Sequence, residues 1–99
     1  MPTVTINRLH RTMYTVLVSR KVLRSISKMP ESIQMKLANL IEDLRDNGAI
    51  QTVWPNFSRI GKNEYHCHLS RKWVACWYWE KGTIEIEVYY AGSREDAPY

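Results

Sequence analysis

The apolar positions change rhythm along the chain, and each change marks an element. Residues 14–18 (YTVLV) are β-branched and aromatic, and a helix signal follows them, so they predict a strand. Ser19 suits the cap of a short helix whose apolar positions Val22, Leu23 and Ile26 share one face. Pro30 restarts the chain as a first-turn residue, with Glu31 well placed for the helix dipole. Ile33, Leu37, Leu40, Ile41 and Leu44 then fall at helical spacing, and Gly48 is the expected stop. The two helices, joined at 28–30, predict an antiparallel hairpin whose apolar stripe belongs to the core.

Trp54-Pro55-Asn56 and Gly61-Lys62-Asn63 punctuate a loop, after which strands are expected at 64–69 (EYHCHL), 73–79 (WVACWYW) and 83–91 (TIEIEVYYA). Connections this short require antiparallel hairpins, because a parallel crossover needs a dozen or more residues. The order is β-α-α-β-β-β. It predicts an α+β fold, an antiparallel sheet packed on one face against the helical hairpin. Ninety-nine residues hold one core, placed at 13–99, and residues 1–12 lack periodicity and read as a loose arm. Met13, just before the first strand, is a second candidate start of translation.

Charge changes this picture through its distribution more than its size. The formal net charge is +4, yet no Asp or Glu precedes Glu31, whereas Arg8, Arg11, Arg20, Lys21, Arg24 and Lys28 all do. An Arg-rich, acid-free start also characterises transit peptides, but this one contains a strand and a helix that read as part of the fold. A basic surface of this kind favours anionic partners. No apolar run is long enough to span a bilayer, and two cysteines are too few for a disulfide scaffold, so a cytoplasmic protein is expected.

Alternation across the strand at 64–69 sends Tyr65, Cys67 and Leu69 one way and Glu64, His66 and His68 the other. The apolar trio must face the helices, so both imidazoles face away from the core. Two histidines on one face suit proton transfer in both directions near neutral pH. A two-residue Arg71-Lys72 turn would pair Cys67 with Cys76 and His66 with Trp77. That register places Val74, Cys76 and Tyr78 in the core, and Trp73, Trp77 and Trp79 beside the histidines, where Trp73 and Trp77 could stack on unpaired RNA bases. The same rings could instead pack or receive a partner protein. A three-residue loop at 80–82 would put Ile84, Ile86 and Val88 in the core with Tyr90. Both cysteines then lie on the apolar side, so a metal site is not expected, and no nucleotide-binding or hydrolase motif occurs. Arg94, just past the last strand, could stabilise a transferring phosphate.

The stretch Tyr65-His66-Cys67-His68-Leu69 resembles the RelE segment in which Tyr is followed by basic, apolar, basic and Leu. The ending Val88-Tyr89-Tyr90-Ala91-Gly92-Ser93-Arg94, then Tyr99, is similar to the last strand of RelE, its Gly-x-Arg and the Tyr beyond. With the element order, the chain resembles the RelE/ParE toxin superfamily over residues 14–99. The resemblance implies the toxin of a type II toxin–antitoxin system, an endoribonuclease that cuts mRNA on the ribosome by 2′-hydroxyl attack, without metal or other cofactor. Its implied partners are an antitoxin, mRNA and the ribosome, with no membrane and no small-molecule substrate.

By the same resemblance His66 and His68 take the places of two RelE lysines, Arg94 that of its transition-state arginine and Tyr99 that of its late catalytic tyrosine. Val74 stands where RelE has a mid-strand arginine, so Arg59, Lys62 or Arg71 would have to supply that phosphate contact. Two alternatives share the fold: a ParE-like inhibitor of DNA gyrase, and a non-catalytic RNA-binding module.

Overall fold

The computed structural model describes residues 13–99. The proposed arm at 1–12, with Arg8, His10 and Arg11, lies outside them. Strand β1 (Thr15–Val18) leads through Ser19 into helix α1 (Arg20–Ile26), and Pro30 opens helix α2 (Glu31–Asn47). Four more strands follow: β2 (Ser58–Arg59), β3 (Glu64–His68), β4 (Trp73–Trp79) and β5 (Glu85–Ser93). The expected helices form where their signals lie. Ser19 Oγ accepts from the Val22 N–H at 3.2 Å, satisfying one of the free donors of the first turn. Gly48 ends α2 at φ 92°, and a Cβ there would sit 3.0 Å from the Tyr14 ring.

The sheet runs β1-β5-β4-β3-β2. It is mixed where an antiparallel sheet was expected: β1 lies parallel to β5, with Thr15 opposite Glu85 and Val18 opposite Val88. The two helices supply the crossover that a parallel pair requires. The short strand β2, expected to be loop, pairs antiparallel with β3 and forms the far edge.

The register of β3 on β4 corrects the sequence reading. His66 lies opposite Cys76 and Tyr65 opposite Trp77, because the chain turns through residues 70–72 rather than through Arg71-Lys72 alone. One extra residue in a turn moves every side chain of the partner strand to the other face. Trp77 therefore faces the helices with no surface exposed, and its indole N–H donates to the Ala49 carbonyl at 3.0 Å. It packs against Phe57 and Tyr65, with centroids at 6.0 and 6.4 Å, and those two rings stack on each other at 6.0 Å. Trp73 and Trp79 pack on the same core. None of the three stands beside the histidines.

A second irregularity restores the core further along. Cys76 pairs with Tyr90 but Trp77 with Val88, so Tyr89 is an extra residue, a β-bulge in β5. Ile86 and Val88 thereby reach the helix face and are fully buried, as expected, though opposite Trp79 and Trp77. Ile84 is exposed and Tyr90 turns to the other face, both against expectation. The core under the helices joins these residues to Val22, Leu37, Leu40 and Leu44.

Truncating Trp77 should reveal its place. Trp77→Ala is expected to cost about 3–5 kcal/mol, and Trp77→Phe about 1–3 kcal/mol because the Ala49 carbonyl loses its donor. Urea unfolding measures both. A Trp77→Ala chain as stable as the wild type would mean that the ring faces solvent.

Candidate active site

The histidine face of the sheet has an apolar floor. Val74 and Cys76, placed in the helix-side core by the sequence reading, lie on this face and are nonetheless fully buried. Three tyrosines supply the cover. The Tyr90 hydroxyl folds back over Gly92 to donate to the Ser93 carbonyl at 2.7 Å, and a Cβ at Gly92 would meet that hydroxyl at 2.9 Å. From the bulge, Tyr89 reaches across Cys76 and donates to Glu64 Oε1 at 2.8 Å. Tyr99, brought back by the tail, lies on the His66 ring with centroids 4.5 Å apart.

His66 and His68 sit side by side, with ring centroids 5.6 Å apart. His66 is 7% exposed, and its Nδ1 lies 3.0 Å from Ser58 Oγ. Donation of Nδ1–H to Ser58 leaves Nε2 as the proton acceptor. Burial holds His66 below the ordinary value of 6.5, the neighbouring His68 adds to this, and a hydrogen bond to the Ser58 backbone opposes it. Burial also lowers His68, and the Arg94 guanidinium adds to the effect. Tyr99 is held above its ordinary value by burial and retains its proton. The four residues His66, His68, Arg94 and Tyr99 thus share one face: two neutral imidazoles, a phenol and a cation. Such a set can accept a proton, return one and stabilise an anion.

Arg94 is held where its side chain can act, because its N–H donates at 2.7 Å to the Lys72 carbonyl in the β3–β4 turn. That turn also carries the exposed Arg71, so two guanidiniums share this end of the sheet. The other residues expected to bind RNA are less favourably placed. Arg59 lies on the face opposite His66, and its guanidinium is hydrogen-bonded to the Gly61 and Lys62 carbonyls. Lys62 is exposed beyond the opposite end of β3. Trp77 is sealed in the core and Trp73 faces the helices, so neither reaches a base beside the histidines.

Ser58, Tyr89 and Glu64 were missed as parts of the site. Phe57, Ser58, Arg59 and Ile60 run apolar, polar, polar, apolar, so no period marks β2 or the Ser58 contact. Cys67 and Cys76 are free and buried on opposite faces, and burial pushes both thiols up to about 12. Among the described residues, no three His, Cys, Asp or Glu side chains are grouped to hold a metal ion. No helix there is long and apolar enough to cross a membrane.

No protein-family model matches the sequence, and no curated protein does. Solved structures do match. The RelE–RelB complex of Pyrococcus horikoshii superposes at TM-score 0.68 and 11% identity, covering 86% of this chain and 99% of that one. A mutant E. coli RelE toxin in the free state gives TM-score 0.68 at 15% identity, covering 86% and 87%. The YoeB dimer of Staphylococcus aureus gives 0.65 at 9%, covering 81% and 95%. Over its described residues the chain is an α+β protein with a five-stranded mixed sheet and two helices. Its fold is the one these RelE and YoeB structures share.

The depressed imidazoles make acid a destabilising condition. Unfolded histidines titrate near 6.5 and the folded pair lower, so the unfolded chain binds more protons in between. Stability should be full above 6.5 and should fall as pH drops through the folded values; His66→Gln/His68→Gln should flatten that dependence in urea titrations. Tyr99→Ala should move His66 back toward 6.5 in an NMR titration. An unchanged His66 titration would show that the tail does not cover it in solution.

Proposed function

We propose that this chain is the toxin of a type II toxin–antitoxin pair, an endoribonuclease that cuts mRNA on the ribosome. The reading is carried by one observation, the gathering of His66, His68, Arg94 and Tyr99 on the open face of a RelE-like sheet. One histidine, with His66 the better placed through Ser58, takes the proton of the 2′-hydroxyl as its oxygen attacks the neighbouring phosphorus. The bond from phosphorus to the 5′-oxygen breaks, and His68 returns a proton to that oxygen. The products are a 2′,3′-cyclic phosphate and a 5′-hydroxyl. Arg94 stabilises the charge on the phosphoryl oxygens, helped by Arg71, and Tyr99 orients His66 or serves as a second acid. No metal takes part.

An antitoxin partner is supported by structural neighbours solved as RelE–RelB and YoeB–YefM complexes. The exposed Arg20, Lys21, Arg24 and Lys28 of α1 and its end suit an acidic segment that orders on binding.

Cleavage of mRNA on programmed ribosomes tests the activity. His66→Ala and His68→Ala should each lose about 10²–10⁴ in rate, and Arg94→Ala about 10²–10³; a chain ending at Pro98 should also be slowed. Folded variants that all cut at the wild-type rate would refute the site. A wild type that cuts nothing but blocks supercoiling by DNA gyrase would make the chain a gyrase inhibitor.

The pH profile carries a further expectation. The base must be deprotonated and the acid protonated, and both imidazoles lie below 6.5. The bell in kcat/KM should therefore peak below 6.5 and decline through neutral pH. A plateau extending above neutral pH would instead give the acid's role to Tyr99, whose proton is held more tightly.

A further inference from the structure

An open cleft of about 750 Å³ lies between α2, the loop at 54–55 and the end of β3. His68, a residue of the centre described above, is among those that line it. Lys36, Asn39, Glu42 and Asp43 line the α2 side, and Trp54 and Pro55 complete it. The loop wall is anchored at two points. The His68 N–H donates to the Pro55 carbonyl at 2.8 Å, and the Trp54 indole N–H donates to Asp43 Oδ2 at 2.8 Å. The second bond fixes the plane of a half-buried indole at the cleft wall.

The lining does not suit a phosphate, because Glu42 and Asp43 are both acidic. Glu42 Oε2 is taken by Arg45 and Asp43 Oδ2 by Trp54, which leaves each carboxylate able to accept further. Asn39 is exposed and its side chain makes no hydrogen bond among the described residues, so its amide can both donate and accept. A fixed aromatic ring, an amide and carboxylate acceptors are the groups that read a nucleobase edge carrying an exocyclic amino group. Lys36 at the rim can meet the backbone of the same strand.

We propose that this cleft seats an unpaired nucleobase bearing an exocyclic amino group, adjacent to the phosphate held at His66 and His68. The inference rests on the RNA-cleaving reading and assigns its base preference to Asn39 and Trp54. It excludes uracil, which offers no amino group to the carboxylates.

The test uses 2′-O-methyl hexanucleotides, which cannot undergo 2′-hydroxyl attack, in NMR titrations of the full chain. The Trp54 indole and Asn39 amide signals should move together with those of His68. Oligomers of adenine, cytosine or guanine should bind several-fold more tightly than oligouridylate, and Asn39→Ala, at an exposed position, should reduce that difference. Trp54→Leu should weaken binding by about tenfold or more. Shifts confined to His66, His68 and the tail would overturn the cleft, as would equal binding of all bases or no binding at all. Binding with this pattern by a chain that cuts no RNA would retain the cleft and remove the nuclease reading instead.

Discussion

The placement of His66 opposite Cys76 is the constraint on which the rest of this structure depends. It sets which face of β4 meets the helices, and with it the positions of three tryptophans. With this register Trp77 fills the centre of the core and finds its hydrogen-bond acceptor in Ala49. A slip of one residue would expose Trp73, Trp77 and Trp79 together and bury Tyr78 beneath the helices. The cost of such an exchange is large, so the register is strongly specified. The bulge at Tyr89 then corrects the phase of β5, so that Ile86 and Val88 meet the tryptophans rather than the solvent.

The same register gives the site its electrostatic character. Val74 and Cys76 form a dry floor under the imidazoles, and Tyr99 closes over His66. Charge is expensive on such a floor, and Arg94 already supplies one positive group there. Imidazoles tolerate this by standing neutral at neutral pH, their pKa values held below the ordinary value of 6.5. Two lysines in the same places would have to carry their charges against both the floor and the guanidinium. The histidines, the buried valine and Arg94 are therefore consistent with one another.

The elements were legible in the sequence because they rest on local periods. The α2 stripe, the Ser19 cap, Gly48 and the alternation of Tyr65, Cys67 and Leu69 each show in a short window. The outward histidines followed from that alternation alone, Arg94 from its place just past the last strand and from resemblance, and Tyr99 from resemblance alone. Pairing was less legible. Whether a turn consumes Arg71-Lys72 or residues 70–72 differs by one residue, and no turn residue there distinguishes the two. Two slips, at that turn and at the β4–β5 connection, which spans 80–85 rather than 80–82, placed Ile86 and Val88 correctly beside the wrong partners. The parallel neighbour of β1 lies some seventy residues away, beyond any local pattern. Strand β2 is two residues long, too short to show a period, and the Ser58 contact went unseen with it.

That parallel neighbour has a kinetic consequence. Strand β5 sits between β1 and β4, so the sheet has no continuous middle until the last strand is in place. Closing the β1–β5 pair must first bring together two distant segments, and the entropy of that loop is spent before any ladder bond returns it. The helices and the β3–β4 hairpin are local and can form early. A partly folded chain would then expose both flanks of the vacancy, the edges of β1 and β4, together with the apolar surface that β5 covers. The tail that carries Arg94 and Tyr99 continues directly from β5, so these two residues join the histidine face only as the sheet closes.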